Sequence, residues 1–182
     1  MSNAKASDSQ EICFIENGTD YVEFIKNRDG KKAFSDIKEG NFVDADGKVV
    51  GKHKGISYYT IGQRKGLGIA LGKPAFVTDI NKEKNTVTLG DNEELFRTHV
   101  IIEDLFFTET GSSKLPRGIE KKYLTAKVRY AAPPAVCTVK QAEEGSIEVI
   151  FETPQRAMTP GQSVVIYEDD RVIGGGRIAY SF

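Results

Sequence analysis

The 182-residue chain balances 25 Lys and Arg against 26 Asp and Glu, and its 39% hydrophobic and 28% charged residues are the composition of a soluble globular protein. No apolar run approaches the roughly 18 residues that a membrane helix needs, so no membrane partner is expected, and a net charge of -1 leaves any nucleic acid to be held by a local patch. Two cysteines far apart, Cys13 and Cys137, make neither a disulfide framework nor a zinc-ligand spacing, which fits a reducing, cytoplasmic compartment.

In chain order, Met1-Ser2-Asn3-Ala4 reads as a tag remnant, because it lacks the basic and apolar regions of a signal peptide. Cys13 follows, between Ile12 and the pair Phe14 and Ile15. Thr19 or Asp20 then caps a short helix in which Tyr21, Phe24 and Ile25 share one face, ending at residues 27–30. Residues 41–52 have the pattern of a hairpin turned at Asp46-Gly47. Ser57 has the place of an N-cap, Ile56 and Ile61 sit at the staple positions around it, and Gly66 ends a helix of two turns at most.

From residue 74 onward the pattern changes to short β-rich runs at 75–81, 86–89, 100–107, 123–130, 136–141, 146–151, 163–167 and 171–180. Turn residues separate them, and that spacing predicts a sandwich or barrel. Leu124, Ala126, Val128 and Tyr130 alternate with Thr125, Lys127 and Arg129, which predicts one buried and one polar face. Pro160-Gly161 fits a type II turn that delivers Gln162 to the mouth of the next strand.

Among groups that could carry chemistry, Cys13 taken alone is a core residue, since Glu11 and Glu16 supply no cation to lower its pKa. Cys137 sits in a plain strand between Val136 and Thr138 and reads as structural. Gly62, Gly66 and Gly68 with Arg64 and Lys65 lack the Gly-Lys-Ser/Thr ending of a phosphate loop. Taken alone, Gln63-Arg64-Lys65 is a solvated helix end; as a small basic turn it offers N–H groups and cations to RNA phosphates. Lys52 and Lys54 read the same way. His53 and His99 have no ligand-spaced neighbours and read as structural or surface residues, so no metal site is expected. Lys114, Arg117, Lys121 and Lys122 form a basic cluster in a loop, either a solvated face or an RNA-backbone contact.

Several motifs in one order carry a family resemblance over residues 7–178. They are Asp8-Ser9-Gln10-Glu11-Ile12-Cys13-Phe14-Ile15, Gly51-Lys52-His53-Lys54-Gly55, Tyr59-Thr60-Ile61-Gly62-Gln63-Arg64-Lys65-Gly66-Leu67-Gly68, Arg129-Tyr130, Thr159-Pro160-Gly161-Gln162-Ser163 and Gly174-Gly175-Gly176. Together they resemble the tRNA-specific 2-thiouridylases. The resemblance implies a mainly β chain, with a small central α+β domain followed by a C-terminal six-stranded β-barrel like one in translation elongation factors. The expected division is 1–18 for the tag remnant and cysteine segment, 19–73 for the central domain and 74–182 for the barrel.

The family begins with an ATP-pyrophosphatase domain bearing a Ser-Gly-Gly-x-Asp-Ser loop and a first catalytic cysteine. Neither occurs here, so the chain is expected to be a C-terminal fragment, inactive alone, with ATP bound by the missing domain. In the family, ATP adenylates the C2 oxygen of the wobble uridine of tRNA, and sulfur from a persulfide donor protein replaces it. Cys13 matches the persulfide carrier, which forms a disulfide with the missing cysteine after sulfur release. Arg129, Tyr130 and Gln162 match tRNA-contacting positions, and Ala131 stands where a second arginine is often found, which weakens that cationic site. The competing expectation is a non-catalytic barrel that binds tRNA or a protein while Cys13 merely packs. Without the missing domain, the Cys13 segment is expected to be displaced or packed on a neighbour.

Overall fold

A computed structural model describes residues 38–143 and 145–182. Cys13 and the helix expected near residues 20–30 lie outside the described residues.

The first unit is a four-stranded sheet of β1 (Gly40–Val43), β2 (Val49–His53), β3 (Phe76–Asn81) and β4 (Thr86–Gly90), in the order β2-β1-β4-β3. β1 and β2 form the expected antiparallel hairpin, with Phe42 opposite Gly51. Its turn is set by the Asp44 carboxylate, which accepts the N–H groups of Asp46 and Lys48, and by Gly47 at φ 81°. β1 pairs in parallel with β4, and β3 folds back antiparallel on β4. Phe42, Tyr59, Leu67, Val77, Val87 and Leu89 bury a small core. The segment between β2 and β3 covers it with Ile56, Ile69 and Leu71.

The second unit is a closed barrel of β5 (Phe96–Phe107), β6 (Leu124–Lys127), β7 (Ala135–Gln141), β8 (Ile147–Arg156), β9 (Ser163–Glu168) and β10 (Arg171–Ser181), in the order β10-β5-β8-β7-β6-β9. Every pairing around the ring is antiparallel, so no strand edge is left open. Strand alternation fills the interior: Val100 and Ile102, Leu124 and Ala126, Cys137 and Val139, Ile147, Val149 and Phe151, and Val164 and Ile166 all point inward. The glycine run has a steric reason here. A Cβ on Gly174 would collide with the Phe107 ring, one on Gly175 with the Val164 carbonyl oxygen, and one on Gly176 would lie 2.5 Å from the Glu103 oxygen. β10 therefore passes between β5 and β9 only as bare backbone.

Three expectations change. The runs at 75–81 and 86–89 are expected to open the barrel, but β4 pairs with β1 of the hairpin, β3 pairs with β4, and the barrel strands begin at β5. β-Patterning alone does not say which sheet a strand joins. The helix expected after Ser57 is only a 3-10 turn at Ile56–Tyr58, capped by Gly55 without a side-chain hydrogen bond. Its continuation is pulled onto β3, because Gly62 N–H donates to Val77 O at 2.8 Å and Val77 N–H to Gln63 O at 2.9 Å. Those bonds take the donor and acceptor a helix would use. Finally β6 stops at Lys127, and the chain turns through an Ala132 N–H bond to Arg129 O, so Tyr130 is 80% exposed instead of continuing the buried face.

Candidate functional site

Of the expected RNA-contact residues, Arg64 and Arg129 are linked through Arg156 where the barrel meets the sheet. The loop of residues 59–68 is held in shape by Gln63. Its Oε1 accepts the Thr60 N–H at 3.1 Å and its Nε2 donates to Lys65 O at 2.9 Å. Gln63 is thus a brace for the loop, while Arg64 and Lys65 project from it and are exposed. Gly62, Gly66 and Gly68 have φ of 89°, 73° and 70°, a backbone that glycine adopts without the strain a Cβ would bring.

On the barrel side, Arg129 leaves the end of β6 and its Nη2 donates to Arg156 O at 2.7 Å. Lys127 Nζ lies 5.6 Å from the centre of the exposed Tyr130 ring. The Pro160-Gly161 turn is present as expected: Gln162 N–H bonds Thr159 O at 3.2 Å and Gly161 has φ 89°. Gln162 O then accepts the Ile178 N–H at 2.7 Å, which fixes the residue at the mouth of β9. Its Oε1 is buried without a hydrogen-bond partner among the described residues, an arrangement that costs about 1–3 kcal/mol. Because Lys127 pairs with Val165, the register carries Arg129 toward Ser163 and Gln162.

Arg156, which sequence reading passed over, joins the two sides. It ends β8 opposite Phe96, its Nε donates to Asn92 Oδ1 at 3.2 Å, and its guanidinium carbon lies 5.6 Å from the Phe76 ring centre. The Arg64 guanidinium carbon lies 6.0 Å from the same ring. The only signal in the sequence is an arginine at the end of a β run, which does not distinguish it from any surface arginine.

Several cations elsewhere on the described surface are ion-paired, while Lys52, Lys54, Lys114 and Arg117 share the unpaired state of the junction cations among the described residues. Lys73 pairs with Asp91, Lys122 with Glu168, Lys140 with Glu148, Arg171 with Glu168 and Arg177 with Asp104. Among the described residues no carboxylate pairs with Arg64, Lys65, Lys127, Arg129 or Arg156. Such uncompensated guanidinium groups and amines suit phosphate oxygens, for which arginine has matched donor geometry. In the loop cluster Lys122 is already neutralised by Glu168 at 3.2 Å, while Lys114 and Arg117 have no carboxylate partner among the described residues.

The remaining candidates are structural. His53 is buried, accepts the Gly55 N–H on Nδ1 at 3.0 Å and donates from Nε2 to Asn85 O at 3.2 Å. That pattern requires a neutral ring, and burial lowers its pKa. Cys137 is 2% exposed inside the barrel, and burial pushes its thiol pKa up to about 12, so it is not a nucleophile in the folded chain. A cleft of about 370 Å³ between the units is lined mainly by Ile56, Tyr59, Ile61, Ile80 and Pro160, with Asp79 and Lys82 as its charged members. No cysteine or histidine lines it among the described residues.

Two family models match in tandem: a tRNA methyl transferase PRC-barrel domain over residues 24–91 and an aminomethyltransferase beta-barrel domain over residues 97–178. The gap between them falls at the 3-10 turn Asn92–Leu95 that joins the sheet to the barrel. Proteins named tRNA-specific 2-thiouridylase MnmA are similar along nearly the whole chain. One from Clostridium botulinum (strain Hall) is 53% identical over 171 residues, which is 94% of this chain and 46% of the relative. Another from Clostridioides difficile (strain 630) is 48% identical over 174 residues, 96% of this chain and 45% of the relative. A third from Acetivibrio thermocellus is 48% identical over 175 residues, again 96% of the chain and 46% of the relative. The chain spans about half the length of the curated relatives it matches, and over that span it belongs to the tRNA-specific 2-thiouridylase family.

Proposed function

We propose that this chain is the C-terminal part of a cytoplasmic tRNA-uridine 2-sulfurtransferase, supplying the RNA-binding junction and the sulfur-carrying Cys13. The observation that carries the reading is identity near 50% across 94% of the chain to proteins named tRNA-specific 2-thiouridylase. The unpaired cations Arg64, Arg129 and Arg156 support it physically, because Arg64 and Arg156 lie at the same Phe76 ring and Arg129 bonds the Arg156 main chain, in a chain whose net charge is -1. Tyr130, exposed beside Lys127, adds a ring on which an unstacked base can lie.

ATP does not fit the described residues. The glycine-rich run at 62–68 has its Gly62 N–H committed to Val77 O and leads into no helix, so it makes no phosphate cradle. ATP binding is assigned to the part of the relatives that this chain does not cover. In the proposed division of labour, the junction orients the tRNA. Cys13 takes sulfane sulfur from a donor protein as a persulfide, whose terminal sulfur attacks the adenylated uridine C2 and expels AMP, leaving Cys13 joined to C2 through the two sulfurs. A second cysteine outside this chain then attacks Cys13 Sγ and breaks that S–S bond, leaving sulfur on C2 and forming a disulfide with Cys13.

The test uses the intact enzyme, wild type and Cys13→Ser, with ATP, a persulfide donor and unmodified tRNA, and measures 2-thiouridine by mass spectrometry of nucleosides. Loss of product in Cys13→Ser with tRNA binding retained is expected, and the 182-residue chain alone makes none. Undiminished product in the variant removes Cys13 from the chemistry. Absence of sulfur on Cys13 after incubation with the donor, together with salt-dependent tRNA binding, leaves a binding module only.

A further inference from the structure

We propose that Arg156 is a positioning residue that locks the four-stranded sheet to the barrel, so that Arg64-Lys65 on one unit and Arg129-Tyr130 on the other face an RNA as one surface. The RNA half of this inference rests on the function proposed above; the locking half stands on the contacts alone.

The two units are joined by a single covalent passage, the 3-10 turn Asn92–Leu95 running directly into β5. A turn this short restricts translation but leaves rotation about its backbone, so side chains must fix the angle. Ala157 N–H helps by donating to Leu95 O at 2.8 Å. Arg156 reaches further. Its Nε donates to Asn92 Oδ1 at 3.2 Å, inside the joining turn, and its guanidinium carbon is 5.6 Å from the centre of Phe76, the first residue of β3. A Cβ built on Gly62 would lie 3.6 Å from Arg156 Nη1 and 3.2 Å from Ala157 Cβ, so the loop backbone that leads into Gln63-Arg64-Lys65 rests on the end of β8. The Arg156 main-chain oxygen accepts the Arg129 Nη2 bond at 2.7 Å. One residue thus touches the joining turn, the sheet, the basic loop and the barrel's own RNA-facing arginine.

The chemistry explains why arginine suits the position. A planar guanidinium donates to Asn92 in its plane while presenting a face or edge to the Phe76 ring, which a lysine ammonium cannot do at once. Asn92 is a neutral acceptor, so the lock leaves the positive charge uncompensated and adds to the field at the junction. Two half-sites held at a fixed separation bind a long polyanion with the second contact already paid for in orientation; released, they bind as two weaker sites.

A simple phosphate contact by Arg156 would also weaken binding when mutated, and salt dependence separates the two roles. Removing one phosphate contact lowers the log–log salt slope by about 0.7–0.9, whereas misorienting two half-sites changes affinity with the charge count intact when lysine is substituted. The experiment measures residual dipolar couplings of the 182-residue chain and tRNA affinity across a salt series for wild type, Arg156→Lys, Asn92→Ala and Lys65→Ala. In wild type one alignment tensor fits both units. In Arg156→Lys and Asn92→Ala the units are expected to need separate tensors, with tRNA affinity down about tenfold and an unchanged slope. Lys65→Ala is expected to keep one tensor and lose slope. A single tensor in both Arg156→Lys and Asn92→Ala overturns the lock, and wild-type affinity in both overturns the joint RNA surface. Separate tensors in a chain whose wild type binds no tRNA leave the lock standing and remove the RNA reading.

Discussion

The barrel and the four-stranded sheet bury their cores in different ways. In the barrel the hydrogen-bonded ring is closed, and residues from all six strands meet in one interior with Phe107, Ile119 and Met158 plugging it. The sheet is open, with β2 and β3 as edges, and its core of Phe42, Tyr59, Leu67, Val77, Val87 and Leu89 draws two members from the irregular segment between strands. A closed ring resists local opening because no strand can leave without breaking two ladders. An open sheet that borrows its cover from a loop transmits any change in the loop to the core. The loop that carries Arg64 and Lys65 is therefore also part of the sheet's stability.

The largest expected effect tests closure. Gly175→Val places a branched side chain where a single Cβ already collides with the Val164 carbonyl oxygen, and that oxygen is backbone in the neighbouring β9. The clash cannot be relieved by a rotamer change, so β10 must leave the ring and the barrel is expected not to fold. Dispersed amide resonances from β6 and β7 in this variant would show that the ring tolerates an opening and would break the contrast.

Next come matched truncations. Phe42→Ala and Phe151→Ala each remove a buried ring, at a cost of about 3–5 kcal/mol. In the sheet the loss takes away the ring that packs against both His53 at 5.4 Å and Tyr59 at 5.1 Å. Phe42→Ala is expected to abolish slow hydrogen exchange in β1 to β4 while β5 to β10 keep theirs. Phe151→Ala is expected to lower the barrel's unfolding midpoint in urea without selective loss in any one strand. Equal, global loss in both variants would mean that the units unfold as one.

Much of this architecture was legible in the sequence, and the exceptions have physical reasons. Local signals were sufficient for the Asp46-Gly47 hairpin and the Pro160-Gly161 turn, because each depends on the φ preferences of two adjacent residues. The barrel strands were legible because alternation in a half-buried strand is a local pattern. β3 and β4 carry the same pattern, yet β4 takes β1 as its partner and β3 pairs only with β4, a long-range choice that periodicity does not encode. The helix expected at Ser57 failed for the same reason, its hydrogen bonds having been taken by Val77. Gln63 illustrates the limit at the candidate site. Sequence placed it with Arg64 and Lys65 as an expected RNA contact, and gave no sign that its amide bonds Thr60 and Lys65 of its own loop. Arg156 was invisible because its importance lies in what it bridges, and Cys13 was read through a resemblance and not through its neighbours.

A smaller effect separates the two histidines. His53 is held neutral by the Gly55 N–H on Nδ1, and burial, opposed by the Asn85 bond, lowers its pKa below the usual histidine value near 6.5. As pH falls below about 6.5 the unfolded chain takes up a proton that the folded sheet refuses, so the unfolded state binds more protons and stability falls with pH. The contribution is whole above that pH and declines as the lowered folded value is approached. Urea unfolding followed through β1 and β4 resonances is expected to weaken from pH 7.5 to 5.5, and His53→Gln is expected to flatten that dependence. A barrel that weakens equally over the same range would show that the effect is not local to the sheet.

The smallest effect lies on the outer wall of the barrel. His99 Nδ1 donates to Glu148 at 2.6 Å, and this bond, reinforced by Lys140 at 3.3 Å, holds the Glu148 carboxyl below the usual range against an opposing effect of burial. Here the folded pKa is lowered for an acid, so the stabilisation is present above the unfolded value near 4.3 and is lost as pH falls through the folded value. The site stands at the β5–β8 ladder, where the His99 backbone also exchanges both hydrogen bonds with Phe182 and its ring stacks on Phe182 at 5.1 Å. Because the network lies at the surface and the ladder beneath it is complete, Glu148→Gln is expected to destabilise the barrel by less than about 1 kcal/mol at pH 7. The difference from wild type should narrow in urea titrations as pH falls below the unfolded value of about 4.3, and vanish only below the lowered folded value, where both side chains are uncharged. A loss as large as that of Phe151→Ala would place the network within the closure of the ring, because only a group needed to keep β5 on β8 could cost as much as a buried ring.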